Sequence, residues 1–225
     1  MKMKMKIWNL KLPALLCGAS LFFSACGQNS EKTETSAAQN EHSQSEHDMS
    51  ASDANSNKMM DLMHENMTEM QQVKLTGDPD RDFALLMATH HEGALNMAQE
   101  EADNGQDTML VNMAKKSLQM QKEEKDKLQQ FADDQKSAVG DTAKSMQLMA
   151  PMRDMMTKMD HNMKGGTDHH FASLMSMHHQ SGIDMAKAYI PLAKAPAIKA
   201  MAQKIMDDQQ AEKQKLDNWL QKNQQ

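Results

Sequence analysis

Two adjoining stretches of the chain place their inward positions at intervals of four and three residues, the period of a helix that buries one face. The first stretch has these positions at Phe83, Met87, His90, Ala94, Met97 and Glu101. The second has them at Leu110, Ala114, Ser117, Gln121, Glu124, Leu128 and Phe131. Asp78-Pro79 is a typical helix start, and Asn104-Gly105 is a typical end with Gly105 expected in the left-handed conformation. The pattern predicts two amphipathic helices that form a hairpin.

The hairpin is present twice in the sequence. Shifted by 88 residues, the chain overlays itself without a gap from Phe83 to Phe131. The polar residues of the stripes recur in register, namely His90 with His178, His91 with His179, Gln121 with Gln209, and Glu124 with Glu212. The copy of the second stripe runs through Ile198, Ala202, Ile205, Gln209, Glu212, Leu216 and Trp219. So many coincidences of uncommon residues indicate an internal duplication.

A methionine-rich segment precedes each hairpin. After a slip of four residues, the first segment aligns with the second through the pairs Met60 with Met152, Met63 with Met155, and Met67 with Met159. Repeat one therefore covers residues 57–135 and repeat two covers 145–222. The link from about 133 to 168 is long enough to run the length of a bundle, as in ferritin-like proteins. We predict an all-α fold in which duplicated helical hairpins form a ferritin-like four-helix bundle, each hairpin preceded by a short Met-rich helix.

The start of the chain has the features of an export signal. Lysines come first, and an apolar run from Leu12 to Phe23 follows that is short for a membrane span. Small residues then precede Cys26, which resembles the acylation site of a bacterial lipoprotein; an ordinary cleaved signal with an incidental cysteine is the alternative. We expect a signal peptide at 1–25, a lipidated Cys26, a disordered polar tether through 56, and a folded domain at 57–225.

Composition narrows the chemistry of the folded part. The net charge of −6 argues against a nucleic-acid partner, which needs a basic face. Two cysteines cannot form a disulfide scaffold or a cysteine-based zinc site, and at most Cys26 would survive processing. The sequence holds 26 methionines and ten histidines, so any soft-metal chemistry depends on these two residue types.

Polar residues on the buried stripes point to a central site. Folding the first hairpin about residue 105 brings His90 and His91 level with Gln121 and Glu124, and the second hairpin repeats this arrangement. Unpaired burial of such groups costs several kcal/mol, on the order of 2–7. Two readings remain open: the histidines bind a metal, or they form a hydrogen-bonded network that only fixes the helices.

Imidazole and thioether donors together suit copper, because thioethers select Cu(I) and imidazole serves both oxidation states. Candidate central ligands are His90, His91, His178, His179, Met87, Met97, Met175, Met185, Glu124 and Glu212. Candidate weaker outer ligands are Met60, Met63, His64, Met67, Met152, Met156 and Met159. Packing is the alternative role for the methionine stripes. We expect Cu(I) to be preferred and silver to follow the same ligands.

The second repeat resembles a known bacterial family. The pattern Phe171-x-x-x-Met175-x-x-His178-His179-Gln180, followed by Gln209-x-x-Glu212, is similar to the "domain of unknown function 305" family. The first repeat matches more loosely, with Glu92 in place of the glutamine. The resemblance covers roughly residues 57–222. It implies a ferritin-like bundle and, from Met/His-rich periplasmic members, copper binding and copper resistance.

Three functions are compatible with these features. The first is a non-enzymatic, lipid-anchored protein outside the cytoplasm that buffers, sequesters or hands on copper, with a copper chaperone or efflux protein as a possible partner. The second is a helical interaction or stress module whose methionines pack or scavenge oxidants. The third, a ferritin-like di-metal oxidoreductase, lacks the Glu-x-x-His motif that such sites use.

Overall fold

The computed structural model describes residues 51–135 and 140–223, and over this part of the chain the protein is all-helical, without a strand. The helices are α1 (Ala51–Gln72), α2 (Pro79–Asn104), α3 (Thr108–Asp134), α4 (Ala143–Gln147), α5 (Ala150–Lys158), α6 (Thr167–Tyr189) and α7 (Pro196–Lys222). The predicted all-α bundle is therefore confirmed. The expected signal peptide, the acylated Cys26 and the tether up to residue 50 lie outside the described residues. Among the helices that are described, none is long and apolar enough to cross a membrane.

The two hairpins, α2–α3 and α6–α7, pack against each other through α2 and α6. Arg81 Nε donates to the carbonyl of Ala132 (3.2 Å), so the end of α3 lies beside the start of α2. The start of α6 lies at the opposite end, because Asp168 Oδ1 accepts the backbone N–H groups of Gln106 (2.8 Å) and Asp107 (3.0 Å). The link between the hairpins therefore runs the length of the bundle, as its length predicted.

The predicted inward stripes are the buried faces of the helices. Every stripe position on α2, α3 and α7 is buried except Phe131 and Trp219, which are partly buried near the helix ends. The predicted start of α2 is also confirmed, since Asp78 caps the helix by accepting the N–H of Asp80 (3.0 Å). Local capping and stripe burial together make each hairpin a direct consequence of its sequence pattern.

The expected conformation of Gly105 is wrong. Its φ and ψ are −68° and 151°, an extended conformation open to any residue. Space is what requires glycine here, because a Cβ atom would lie 2.3 Å from a carboxyl oxygen of Glu101 and 2.5 Å from its backbone oxygen. The helix still ends where the sequence predicted, but the glycine makes room for a buried side chain.

The Met-rich segments differ from the expected pair of short helices. The first is the long helix α1, and it begins at Ala51, inside the predicted tether, because extending a nucleated helix is far less costly than starting one. The second is divided between α4 and α5. The predicted stripe through Met152 and Met156 ends with α5 at Lys158, so Met159 and Met163 lie beyond that helix, in a segment rich in turn-forming residues.

The predicted methionine stripes are mostly buried, and they differ from the prediction at one position in each segment. Met59 is fully buried whereas Met60 is only partly buried, and Met155 is likewise more buried than Met156. Methionines are buried in both segments: Met59, Met63, Met67, Met70, Met149, Met152, Met155 and Met159. Methionine therefore takes the packing positions that leucine would hold in an ordinary core.

Two repeat-equivalent aspartates join the hairpins at opposite ends of the bundle. Asp80 accepts hydrogen bonds from the Tyr189 hydroxyl (2.5 Å) and from the backbone N–H of Lys194 (3.0 Å) and Ala195 (2.9 Å). Asp168 accepts the equivalent backbone N–H groups at the other end, but Glu101 stands where the tyrosine would be. Burial, and then the nearby Asp168 carboxylate, raises the pKa of Glu101 to about 9. Glu101 is thus a neutral acid at pH 7, and neither of its carboxyl oxygens has a hydrogen-bond partner among the described residues.

Replacing Glu101 with glutamine tests this role. A carboxyl with a raised pKa stabilises the fold below its unfolded pKa of 4.5, and this contribution is lost as pH rises through about 9. Glutamine keeps an N–H donor without titrating, so E101Q should retain its urea midpoint between about pH 6 and pH 9 while the parent midpoint falls. The exposed D103N variant is the control and should follow the parent. An equal decline in E101Q and the parent would contradict the assignment.

Candidate metal centre

Four histidines lie together at the middle of the bundle. His90, His91 and His178 are completely buried, and His179 is 1% exposed. The rings of His90 and His178 stack with their centres 3.7 Å apart and an interplanar angle of 27°. Since these two residues are equivalents in the duplication, they mark the approximate twofold axis that relates the repeats. The site is therefore shared between the repeats rather than built twice.

Each of the outer two histidines pairs with a carboxylate of its own hairpin. His91 Nε2 lies 3.1 Å from Glu124 Oε2, and His179 Nε2 lies 3.1 Å from Glu212 Oε2. Both predicted pairings between histidine and carboxylate are thus present. The partner hairpin supplies a further contact to each carboxylate: Lys204 Nζ donates to Glu124 (2.8 Å), and Ser117 Oγ donates to Glu212 (2.8 Å).

The electrostatics of the centre favour a neutral inner pair, His90 and His178, and ionised carboxylates. Burial, and then the neighbouring histidines, lowers the pKa of His90 and of His178 well below 6.5. Burial opposes ionisation of Glu124, but hydrogen bonds from His91 and Lys204 outweigh it and lower the pKa to about 2. The pKa of Glu212 is also lowered, as hydrogen bonds from His179 and Ser117 overcome its burial. The carboxylates are therefore charged at neutral pH.

Charged carboxylates fix the proton positions on their histidines. A carboxylate can only accept, so Nε2 of His91 and Nε2 of His179 must carry the hydrogen. In a neutral imidazole the lone pair then belongs to Nδ1, and neither Nδ1 has a hydrogen-bond partner within residues 51–135 and 140–223. In a metal-bound histidine, one ring nitrogen commonly donates a hydrogen bond to a carboxylate while the lone pair of the other binds the metal ion.

The inner pair breaks the symmetry of the duplication. His90 Nε2 lies 2.9 Å from Ser181 Oγ, whose own hydrogen goes to the carbonyl of His178 (2.8 Å). The repeat equivalent of Ser181 is Gly93, which has no hydroxyl to offer His178. Both ring nitrogens of His178 consequently lack a hydrogen-bond partner among the described residues. Of the four histidines, His178 is thus the one whose ring makes no hydrogen bond with the described residues.

Two glutamines add further unpaired polar atoms to this region. Gln121 and Gln209 are each 4% exposed, and neither amide atom of either residue has a partner in the described part of the chain. Gly182 lets Gln209 and His90 approach, since a Cβ there would lie 2.2 Å from Gln209 Oε1 and 2.8 Å from His90 Cε1. Each unsatisfied buried polar group lowers the free energy of unfolding by about 1–3 kcal/mol. These unpaired atoms therefore argue against a network whose only role is to stabilise the fold.

The structure places the predicted methionine ligands in the core. The central set is buried on the same helices as the histidines and comprises Met87, Met97, Met175 and Met185. The sulfur of Met152 lies 3.7 Å from Ser181 Oγ, the hydroxyl that also meets His90. His64 is exposed on α1. Within the described residues, no three side chains among His, Cys, Asp and Glu form a ready metal cluster. Metal ligation by these histidines and methionines stays a prediction.

Sequence reasoning missed several partners of the site. Ser181 and Lys204 were not anticipated, and Ser117 was recognised only as a stripe position. The 88-residue overlay carried a signal for Ser181, because it sets a serine opposite Gly93 beside a buried histidine. Nothing in the sequence signals Lys204, which is exposed and reaches Glu124 only because α7 packs beside α3.

Comparisons with known proteins agree with this architecture. The sequence matches the family described as "Domain of unknown function (DUF305)" over residues 25–132 and again over 132–220. No curated protein matches the chain. Two solved structures of CopM in the Ag-bound form, one obtained by soaking and one by co-crystallization, share the fold with a TM-score of 0.50. Each is 20% identical and covers 65% of this chain and 98% of CopM.

Replacing Glu124 with glutamine should weaken the centre. The variant loses a charged partner of His91 and Lys204, and hydrogen bonds to charged groups contribute about 1.5–3 kcal/mol. The lowered pKa of Glu124 means that its contribution is present above pH 4.5 and is lost as pH falls through about 2. Urea unfolding should therefore show E124Q less stable than the parent at neutral pH, with a smaller further loss in acid.

The exposed neighbour Glu123 provides the matched control for this measurement. E123Q removes the same charge from the same turn of α3 without touching a histidine, so its midpoint should stay close to that of the parent. Equal midpoints for E124Q and E123Q at neutral pH would contradict the stabilising role of the pair between His91 and Glu124.

Proposed function

The chain belongs to the DUF305 family, and on this premise we propose that it is an extracytoplasmic copper-binding protein that buffers, sequesters or hands on Cu(I) and Cu(II) without catalysis. The observation that carries the proposal is the buried group of four imidazoles. Five of their ring nitrogens have no hydrogen-bond partner in the described residues: Nδ1 of His90, His91 and His179, and both nitrogens of His178. A neutral imidazole offers a lone pair to a metal ion, and a carboxylate bound to the other ring nitrogen is the usual support of a metal-bound histidine.

The donor chemistry around this group favours copper over zinc or iron. Thioether sulfur is a soft ligand that selects Cu(I), whereas iron sites prefer carboxylates and zinc sites use cysteine, histidine or carboxylate. The sulfur of Met152 approaches this group through Ser181, whose hydroxyl contacts both the sulfur and His90. Cu(I) and Ag(I) share these preferences, and CopM, which has a similar fold, binds silver in its solved structures.

The location follows from the start of the chain. The lysine-led apolar run and Cys26 favour export and acylation, which would tether the folded domain to a membrane from outside the cytoplasm. A copper chaperone or an efflux protein is the partner that suits a tethered copper carrier. In an oxidising compartment methionine and histidine are durable donors, because free thiolates do not persist there.

Complete burial of the methionines favours a second function. Met87, Met97 and Met185 are 0% exposed, which is also what plain core packing would produce. Under this alternative the protein is a helical interaction module, and the histidine cluster only specifies the packing of the two hairpins. The following two variants separate the alternatives.

Replacing His178 with glutamine tests the copper-binding role at the central histidine that has no hydrogen-bond partner among the described residues. This ring makes no hydrogen bond with the described residues, so the variant removes a ligand at the cost of the stacking on His90 but of no hydrogen bond, and urea unfolding checks that it folds. We expect Cu(I) affinity of the tightest site, measured in anaerobic competition with a chromophoric chelator, to fall at least about tenfold. H169Q, which changes a partly buried histidine at the start of α6, should bind as the parent does. Unchanged affinity in H178Q would favour the packing alternative.

Replacing Met87, Met97, Met175 and Met185 together with leucine separates ligation from packing. Leucine conserves volume, so each change should cost less than about 1.5 kcal/mol, but it offers no lone pair to copper. We expect the folded variant to bind Cu(I) more weakly. The control replaces Met113 and Met201, a partly buried equivalent pair on α3 and α7, and should bind normally. A stable four-leucine variant with parental copper affinity would assign these methionines to packing alone.

A further inference from the structure

A second pair of histidines meets at the surface, away from the buried four. His64 lies on α1, and His161 lies in the turn that follows α5. Their rings are nearly parallel, with centres 5.5 Å apart and an interplanar angle of 16°. Both residues are exposed, so their ring nitrogens are open to ions from solution. The two residues are not equivalents in the duplication, and their meeting is a product of the tertiary fold.

The separation of the two rings suits one shared metal ion. Metal–imidazole bonds are about 2.0–2.1 Å long, so two rings bound to one ion have their centres within about 6.5 Å of each other. The observed spacing falls inside this limit. A rotation of exposed side chains is then enough to aim one nitrogen of each ring at a common point, with no movement of the helices.

Methionines flank this pair on both segments. Met60 precedes His64 by four residues and Met67 follows it by three, spacings that place both on the helix face of His64. Met163 follows His161 by two residues and is only partly buried. The pair therefore has thioethers within a helical turn, which is the donor combination that favours Cu(I) over harder cations.

Local structure holds His161 in position without using its ring. Asp160 Oδ1 accepts the backbone N–H of Asn162 (2.9 Å), which forms a tight turn with His161 at its centre. On the other side, His64 sits in the continuous helix α1, which packs against α2 and α6. Both backbones are thus fixed while both imidazoles remain available.

We propose that His64 and His161 form a second, solvent-accessible Cu(I) site that fastens α1 to the segment after α5, with Met60, Met67 or Met163 completing the coordination. The choice of metal rests on the proposed function, but the site is separate from the buried histidines. Its exposure makes it the first donor pair that an ion from solution meets. The complete burial of the central histidines means that an ion reaches them only through a transient opening of the bundle, whereas the surface pair binds without one.

Direct ligation can be read from the histidine ring nitrogens. We would label the full-length protein with 15N-histidine and add Ag(I), a redox-stable probe of Cu(I) ligands, in less than equimolar amount. Ring-nitrogen resonances of His64 and His161 should shift together and show one-bond coupling to silver. Because the resonances of His90, His91, His178 and His179 are observed in the same spectrum, failure of the surface site and failure of the central site are distinguishable.

The H161Q variant makes the test specific. Loss of one ring should weaken silver binding at His64 at least about tenfold, so its shift should disappear at the same silver concentration. H169Q, the change of a partly buried histidine on α6, should leave the His64 response unaltered. A His64 response that persists unchanged in H161Q would overturn the shared site. So would silver coupling at only one of the two rings in the parent.

Discussion

The burial of four imidazoles on the axis between two repeats is the constraint on which the rest of this structure depends. His90 and His178 stack there with both pKa values lowered, so this inner pair is polar but uncharged. An uncharged ring needs a partner for its N–H and leaves a lone pair to be satisfied. The carboxylates of Glu124 and Glu212 meet the first need for the outer rings, and each is itself held by a residue of the other hairpin. The polar centre therefore ties the repeats together.

Duplication produced two copies of one backbone plan, and small substitutions then made the copies chemically different. Ser181 replaces Gly93, which gives His90 a partner and leaves His178 without one in the described residues. Tyr189 replaces Glu101, so a phenol donates a hydrogen bond to Asp80 at one end of the bundle, while a buried carboxyl with a raised pKa stands near Asp168 at the other. Gly182 replaces Ala94, and the missing methyl group admits Gln209 beside His90. A symmetric scaffold thus carries an asymmetric centre.

Metal binding and stability place opposing demands on such a centre. Each unpaired buried atom costs stability, so a bundle optimised only for stability would replace these groups with apolar ones. The extensive methionine packing elsewhere compensates, because flexible thioethers fill irregular space well and still carry a lone pair. Packing and ligation by methionine are compatible roles, which is why burial alone does not distinguish them. The exposed pair of His64 and His161 is free of this conflict, since water satisfies both rings in the absence of an ion.

The sequence by itself determined the helices, their inward faces and the pairing of histidine with carboxylate inside each hairpin. These features depend on helical period and on the short loop of a hairpin, which are local properties that an 88-residue overlay reveals twice. Contacts between distant parts of the chain could not be predicted from it: the stacking of His90 on His178, the approach of Lys204 to Glu124, and the meeting of His64 with His161. The deeper burial of Met59 than of Met60, and of Met155 than of Met156, belongs with them. Only the tertiary structure decided these, because the rotation and depth at which packed helices meet depend on the shapes of all the side chains between them.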